Sequence, residues 1–378
     1  MTPSPVEPAR ALRPTHARID LTAISDNVAA VATHVAPAAV MPVVKANAYG
    51  HGLTAVGLHL QRHGVEWLGV AYVEEGVALR RAGVEVPILV MGGSGRAQAD
   101  DFLRHRLTPS VSSVAKLRTF SEAAEAAGQV VDVHLQVDTG MERLGVHWYS
   151  AEPFVDEALR DPHVRVEGIW SHLANGDAAD LAHAREQVAR FESVCDVFDR
   201  RSVAMPIRHL ANSGGVLQLP EAHLDLVRPG IMIYGVLPDP DVRRTVDVRP
   251  ALRWVSEVVY VKTVRAGSPV SYGSTWAPDR DTRIVTVPVG YGDGYLRLNS
   301  NRSEVLVGGR RCPVVGRVCM DQLMVDVGEA DVSTGDEVVL VGGQGSERIT
   351  AEELGAHAET IGYEVLTNVN ERVPRVHG

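Results

Sequence analysis

The stretch MPVVKANAYGHG at positions 41–52 decides how the chain begins to fold. Its apolar opening, which includes a proline, ends at Lys45, and small residues, a tyrosine and two glycines follow. A short apolar run that stops at a turn is typical of a buried strand, so Lys45 is predicted to stand at the carboxyl end of that strand. Considered alone, the lysine could equally be a surface residue whose alkyl stem covers apolar neighbours.

From position 39 onward, short β-like runs alternate with helical stretches. The runs are VMPVVK, WLGV, PILVM, LTPSV, VDVHLQVD, RVEGIWSH, IRHLAN and LDLVRPG. Helices are predicted between them, for example at SVAKLRTFSEAAEAAG from its Ala and Glu content and at DLAHAREQVARFESVCDVF from its apolar stripe. This alternation predicts an α/β fold with parallel strands, and about eight strands in about 245 residues indicate a (β/α)8 TIM barrel.

The pattern of the sequence changes after LPDPDVRRTVDVRP, whose Pro and Asp residues at 238–250 predict a linker. Beyond it, Val-rich runs cut by glycine turns predict a mostly β C-terminal domain, with helical pattern returning at ITAEELGAHAETIG. We therefore expect a loose N-terminal tail at 1–15, a barrel domain at 16–245 and a β-rich domain at 246–378.

Composition limits the kind of protein this is. The 378 residues carry a net charge of −10, which argues against nucleic acid or an anionic membrane as the main partner. No apolar run approaches the roughly 20 residues of a membrane span, and the proline-rich start is not a signal peptide. The three cysteines, Cys195, Cys312 and Cys319, fit neither a disulfide framework nor a zinc template. We expect a cytoplasmic protein without a metal site, in which Cys195 is a core thiol on a helix face.

Polar residues close five of the predicted barrel strands. They are Lys45, Asp138 followed by Arg143, His172, Asn212 with Ser213, and Arg228. Each has a structural alternative: Asp138 could cap a turn, His172 could be a bonded core histidine, and Arg143 could face solvent. Five such coincidences at one rim are a poor explanation, because the chemistry of a TIM barrel lies at the carboxyl ends of its strands.

The loops after the last two strands are more specific. ANSGG at 211–215 offers a hydroxyl and close-approach glycines, and RPGI at 228–231 offers backbone N–H groups beside a glycine. Phosphate sites of TIM barrels are frequently built from these two loops. A lysine amine across the pocket from a phosphate site suggests a Schiff base with pyridoxal 5′-phosphate.

Together these motifs resemble the bacterial alanine racemases, which are pyridoxal-phosphate enzymes with a TIM barrel and a β domain. VVKANAYGHG resembles the cofactor-lysine signature of that family. Further matching blocks follow in order: DTGMERLG, SHLANGD, LANSGG, DLVRPGIMIYG, VSYGSTW, VGYGDG, GRVCMDQ and IGYEVLTN. The resemblance covers nearly the whole chain and implies interconversion of L- and D-alanine, with D-alanine supplied for peptidoglycan.

The resemblance also implies a role for each matching residue. Lys45 would bind the cofactor and act as one base, and Tyr272 from the partner subunit of a homodimer would be the other base. The implied cofactor-binding residues are Lys45, Tyr49, His172, Asn212, Ser213, Arg228, Gly230, Ile231 and Tyr363. Arg143 and Met320 would bind the substrate carboxylate, and Asp177, Tyr291 and Arg317 would line the entry corridor. Arg228 would donate to the pyridine nitrogen and keep it unprotonated, which makes the ring a weaker electron sink.

Two departures from the family pattern concern the loop that carries Arg143. Gln136 stands where many members have a lysine modified to a carbamate, so we expect either the Gln136 amide or a bound chloride to orient Arg143. Glu142 replaces an expected glycine. Three other functions remain open: a barrel decarboxylase, which Arg228 opposes, a non-catalytic pyridoxal-phosphate-binding protein, which the β domain opposes, and a racemase acting on serine or several amino acids.

Overall fold

The computed structural model describes residues 13–378, which form two compact units. One unit is Leu21–Arg249, and the other combines residues 13–20 with Pro250–Gly378. The strands are β1 (His16–Ile19), β2 (Ala39–Val40), β3 (Leu68–Val70), β4 (Ile88–Val90), β5 (Thr108–Val111), β6 (Val131–Asp138), β7 (Val146–His147), β8 (Val164–Trp170), β9 (Ile207–His209), β10 (Leu226–Val227), β11 (Leu252–Glu257), β12 (Tyr260–Val264), β13 (Thr282–Val287), β14 (Glu304–Val307), β15 (Arg310–Pro313), β16 (Leu323–Gly328), β17 (Glu337–Gln344), β18 (Glu347–Ile349) and β19 (Arg375–His377). The helices are α1 (Leu21–Val35), α2 (Lys45–Tyr49), α3 (Leu53–Arg62), α4 (Val73–Ala82), α5 (Ala99–Arg104), α6 (Val114–Ala127), α7 (Ala151–Arg160), α8 (Ala182–Arg200), α9 (Ser213–Gln218), α10 (Ala351–His357) and α11 (Gly362–Asn368).

The first unit is the predicted barrel. Parallel strands run in the order β3-β4-β5-β6-β8-β9, and β10 pairs in parallel with β2. Backbone contacts close the circle, with Asp225 N donating to Arg208 O at 3.2 Å and Val43 bridging Gly69. Each of the eight predicted runs overlaps one of these strands, because a buried parallel strand reads as a continuous apolar segment. In VMPVVK only Val40 belongs to β2.

The predicted barrel helices form where expected. Helix α6 begins after Ser113, whose Oγ accepts a hydrogen bond from Lys116 N at 3.2 Å, and it ends at Gly128 with φ 64°. These are the ordinary start and stop signals of a helix. Helix α8 buries the predicted apolar stripe, including Cys195, whose pKa burial raises to about 12.

The second unit is β-rich, as predicted. One sheet runs β15-β14-β17-β11-β1-β19, with β18 added on β17, and a second, antiparallel sheet runs β12-β13-β16. The rings of Trp254 and Tyr295, both fully buried, lie 6.0 Å apart in its core. Helix α10 lies in the segment where helical pattern returned, and α11 begins at the last residue of that segment.

The predicted domain limits need correction at both ends of the barrel. Strand β1 pairs with β11 and β19, so residues 16–20 belong to the β-rich unit, and the barrel unit ends at Arg249 rather than at 245. A four-residue strand whose partners lie more than 230 positions away leaves no local signal. Residues 1–12 of the predicted tail lie outside the described residues. Residues 13–15 are anchored, since Thr15 Oγ1 donates to Pro288 O at 2.8 Å.

Candidate active site

Lys45 opens a turn with an unusual backbone. The four residues after it, Ala46, Asn47, Ala48 and Tyr49, all have φ between 50° and 55°. Left-handed backbone costs an L-residue about 1–2 kcal/mol, so four in succession persist only because the surroundings fix them. The turn therefore holds Lys45 in one position, five residues after β2 ends.

Glu75 is the side chain that fixes this turn. Its Oε1 accepts from Ala46 N at 2.6 Å, and its Oε2 accepts from Ala71 N at 2.8 Å and Tyr72 N at 3.1 Å. One carboxylate thus joins the lysine turn to the start of α4. We did not predict this role, and the available signal was weak: Glu75 occupies the third position of a helix, where a carboxylate often bonds backbone N–H groups.

The Lys45 amine lies in surroundings that disfavour its charged form. Burial lowers the pKa of Lys45 most, the positive charges of Arg143 and Arg228 lower it further, and Glu75 acts in the opposite direction. A lysine in such a setting is more readily neutral and can act as a nucleophile or base.

Arg228 is buried at the end of β10, with 2% of its surface exposed. Its Nη2 donates to Ser171 O at 2.8 Å and to Leu210 O at 3.2 Å, and its guanidinium lies 4.7 Å from the centre of the Trp170 ring. Burial lowers the pKa of Arg228 to about 9, so the guanidinium stays protonated at pH 7.

Two buried histidines extend from Arg228 into the barrel. Arg228 Nη1 donates to His209 Nδ1 at 3.0 Å, and His209 Nε2 lies 2.8 Å from His134 Nδ1. Because arginine can only donate, His209 must carry its proton on Nε2 and donate to His134, whose own proton is then on Nε2. Glu167 Oε2 lies 3.5 Å from that nitrogen. The geometry therefore fixes both tautomers.

His172, at the end of β8, lies beside this arginine. Its Nδ1 is 3.4 Å from Arg228 Nη2. Burial, and then the charges of Arg228, Arg143 and Lys45, hold the pKa of His172 well below its usual value. The imidazole is neutral at pH 7 and accepts through Nδ1, so its Nε2 carries the proton.

The predicted phosphate loops meet at Gly230. Ser213 Oγ accepts from Gly230 N at 3.0 Å, and a Cβ placed on Gly230 would collide with the Tyr49 hydroxyl. Ile231 follows, fully buried, at the start of a short 3-10 turn. Asn212 caps α9 by accepting from Gly215 N at 3.0 Å, so its side chain shapes this loop. The backbone of Asp177 packs against Gly214 of the same loop.

The loop that carries Arg143 is organised by Asp138. This buried carboxylate accepts from the backbone N of Gly140, Met141, Glu142 and Arg143 at 2.8–3.2 Å. The turn-capping alternative for Asp138 is therefore correct. Glu142 has φ 53°, a conformation that favours glycine. The glycine that the family pattern predicts here would adopt this backbone with less strain than Glu142 does.

Gln136 is not the partner of Arg143. Its Oε1 lies 3.3 Å from Ser110 Oγ, which in turn accepts from Trp170 Nε1 at 2.9 Å. Within residues 13–378, no hydrogen bond joins Gln136 to Arg143, whose side chain is exposed. The expected amide contact is therefore wrong for this structure.

Five of the predicted site residues lie in the β-rich unit: Tyr272, Tyr291, Arg317, Met320 and Tyr363. Tyr272 is 71% exposed on a loop in which Ser271 Oγ donates to Arg317 O at 2.6 Å, and the Arg317 guanidinium packs against Gly273. Tyr291 N donates to Cys319 O at 3.0 Å, which places Tyr291 beside Met320. Tyr363, in α11, belongs to the same unit. The approach of these side chains to a barrel site remains a prediction.

A barrel with a lysine of lowered pKa, a buried arginine and a glycine cradle at its strand ends defines an enzyme of the class that binds a phosphorylated cofactor through an amine. Sequence models described as "Alanine racemase, N-terminal domain" and "Alanine racemase, C-terminal domain" match residues 19–238 and 251–377. The chain belongs to the alanine racemase family.

Individual relatives agree with this assignment. The alanine racemase of Symbiobacterium thermophilum is 44% identical over 97% of this chain and 98% of its own length. The Bacillus anthracis alanine racemase structure with bound L-Ala-P has a TM-score of 0.92 and 32% identity, covering 98% of this chain and 96% of that one. The Bartonella henselae alanine racemase with covalently bound pyridoxal phosphate has a TM-score of 0.86 and 30% identity, covering 96% of this chain and 99% of that one.

Proposed function

We propose that this chain interconverts L- and D-alanine with pyridoxal 5′-phosphate bound at the barrel residues. The observation that carries the proposal is the setting of the Lys45 amine. A left-handed turn fixes this residue, burial favours its neutral form, and the positive charge of Arg228 lowers its pKa further. Family membership supports the same reaction.

The residues present fit the cofactor. Gly230 leaves space that a Cβ would fill against Tyr49, and the Ser213 hydroxyl lies at the same point, as a phosphate cradle requires. Lys45 supplies the amine and Arg228 a permanent donor for the ring nitrogen. When bound, the cofactor stabilises negative charge at the substrate Cα.

Each base acts on one face of the substrate. Lys45, when neutral, accepts the α proton on its side, and the phenol of Tyr272 from the partner subunit serves the opposite face. Neutral His172 presents its Nε2–H, which favours the phenolate by donating to the phenol oxygen. Two bases on opposite faces exchange the proton without turning the substrate over.

Arg228 restricts the reaction to racemisation. Because it donates and cannot accept, Arg228 would keep the ring nitrogen of the bound cofactor unprotonated, which would make the cofactor a weaker electron sink. Lys45 or Tyr272 would then return a proton to Cα before other reactions compete. A carboxylate at the same place would favour decarboxylation, so this arginine is the feature that argues against the decarboxylase alternative.

We also propose that the active form is a homodimer and that it acts in the cytoplasm. Tyr272 and Met320 are 71% and 52% exposed, which suits residues that a second copy would cover. Among residues 13–378, no helix combines the length and apolarity needed to cross a membrane.

The experiment is to incubate the loaded protein with L-alanine in heavy water and to follow chirality and label at Cα. We expect D-alanine that carries solvent deuterium, loss of turnover in Lys45→Ala, and a Tyr272→Phe variant that loses exchange from one enantiomer first. Serine and lysine serve as competing substrates. Cofactor binding without deuterium in alanine would refute the proposal.

A further inference from the structure

Asp293 is a fully buried carboxylate in the β-rich unit, at the end of a short 3-10 turn, Tyr291–Asp293. Arg13 donates two hydrogen bonds to this carboxylate, from Nη1 to Oδ1 at 2.7 Å and from Nη2 to Oδ2 at 3.0 Å. Gly290 N donates to Oδ2 at 3.0 Å, and Arg372 Nε lies 3.4 Å from Oδ1. A buried acid of this kind is retained only when its partners are complete.

The two arginines come from opposite ends of the chain and reach further than Asp293. Arg13 Nη2 also donates to Pro288 O at 2.5 Å, at the start of the same loop. Arg372 Nη2 donates to Asp321 at 2.7 Å, in the neighbouring loop. We call Arg13, Asp293 and Arg372 the arginine clamp.

The clamp holds two loops against each other. Tyr291 N donates to Cys319 O at 3.0 Å, and Gly292 N donates to Met320 O at 2.8 Å. A Cβ on Gly290 would collide with both acceptor carbonyls, so glycine is what allows this approach.

These two loops carry exposed side chains, although hydrogen bonds fix the backbone of both loops. Tyr291 is 42% exposed and Met320 is 52% exposed. Tyr291 lies two residues before Asp293, and Met320 directly precedes Asp321. The ion cluster therefore fixes the backbone of two loops whose side chains Tyr291 and Met320 are exposed.

We propose that Asp293 is a positioning residue that, through Arg13 and Arg372, fixes Tyr291 and Met320 for admitting and binding the alanine carboxylate. This inference rests on the proposed function. It also makes the segment before β1 a working part of the enzyme, since Arg13 supplies two of the bonds to Asp293.

The test compares Arg13→Gln and Asp293→Asn with Arg18→Gln as the matched control. Arg18 lies on the same segment, but its ion pair with Glu337 is 3.6 Å long and its side chain is 53% exposed. Amide hydrogen exchange is measured on the cofactor-loaded protein, together with KM and kcat for L-alanine.

We expect both clamp variants to speed exchange at least tenfold in peptides that cover 290–293 and 319–321, with little change elsewhere in the unit. KM should rise about tenfold while kcat falls less than threefold, and Arg18→Gln should behave as wild type. If Asp293→Asn does not fold, Arg13→Gln and Arg372→Gln carry the test.

Unchanged exchange in these peptides, uniform acceleration across the unit, or a loss of kcat at constant KM would each overturn the inference. The two readouts separate the possible failures. An inactive wild-type protein would refute the proposed function, whereas an active wild type with unresponsive clamp variants would refute only the positioning role.

Discussion

Replacing Gly230 with alanine should damage the cofactor cradle specifically. The added Cβ would collide with the Tyr49 hydroxyl and lie 3.0 Å from Tyr49 Cζ, and Tyr49 is almost fully buried. Overpacking of this kind costs about 1–3 kcal/mol. If the strain is felt when the cofactor binds, the dissociation constant should rise about 5- to 150-fold.

The effect should depend on Tyr49. In a Tyr49→Phe background the colliding oxygen is gone and only the ring contact remains, so Gly230→Ala should lose less there, with a coupling of at least about 0.5 kcal/mol. Gly93→Ala is the control, because the nearest atom to its Cβ would be Lys116 Nζ at 3.8 Å. It should stay within about 0.5 kcal/mol of wild type.

The assay is titration of the apo protein with pyridoxal 5′-phosphate, followed by absorbance, with urea unfolding measured in parallel. Wild-type affinity in Gly230→Ala would refute the argument that this glycine forms the cradle. Strictly additive losses in the double variant would refute the claim that Tyr49 is what the methyl group meets.

Three further predictions test the same description. The unfolded chain keeps the Lys45 proton up to about pH 10.5, whereas the folded apo protein releases it at lower pH. Lys45→Met should therefore be more stable than wild type at pH 7. Urea unfolding at higher pH should show a smaller difference in free energy of unfolding between the two proteins. Burial raises the pKa of the Cys195 thiol to about 12, so the thiol stays protonated at pH 8. Mass mapping after alkylation of the native protein should find Cys195 unmodified and Cys319, which is half-buried, modified first. Ala46→Gly, at φ 52°, should leave the free energy of unfolding unchanged or raise it by up to about 1 kcal/mol. The control Ala55→Gly, inside α3, should lower the free energy of unfolding by about 1 kcal/mol. Equal losses in the two variants would contradict the strained turn.

The barrel could be predicted from the sequence because its signals are local. Each strand is a short apolar run, and the polar residue that ends it, such as Lys45 or Arg228, lies next to that run. The helix around Cys195 was equally clear, since its apolar spacing is contained within a single segment.

What was missed depends on contacts between distant positions. The left-handed backbone after Lys45 has no glycine at its four strained residues, and it is fixed by Glu75, which lies 29 positions from Ala46. His209 stands in the quoted run IRHLAN, but a single histidine there does not reveal that it bonds Arg228. Gln136 was assigned by analogy with a lysine, and its partner proved to be Ser110.

The pairing of β1 has a consequence for how the protein is made. Ala17 aligns with Arg375, so β1 cannot complete its pairing until β19 has been synthesised. The intervening barrel can fold during translation before this sheet is complete.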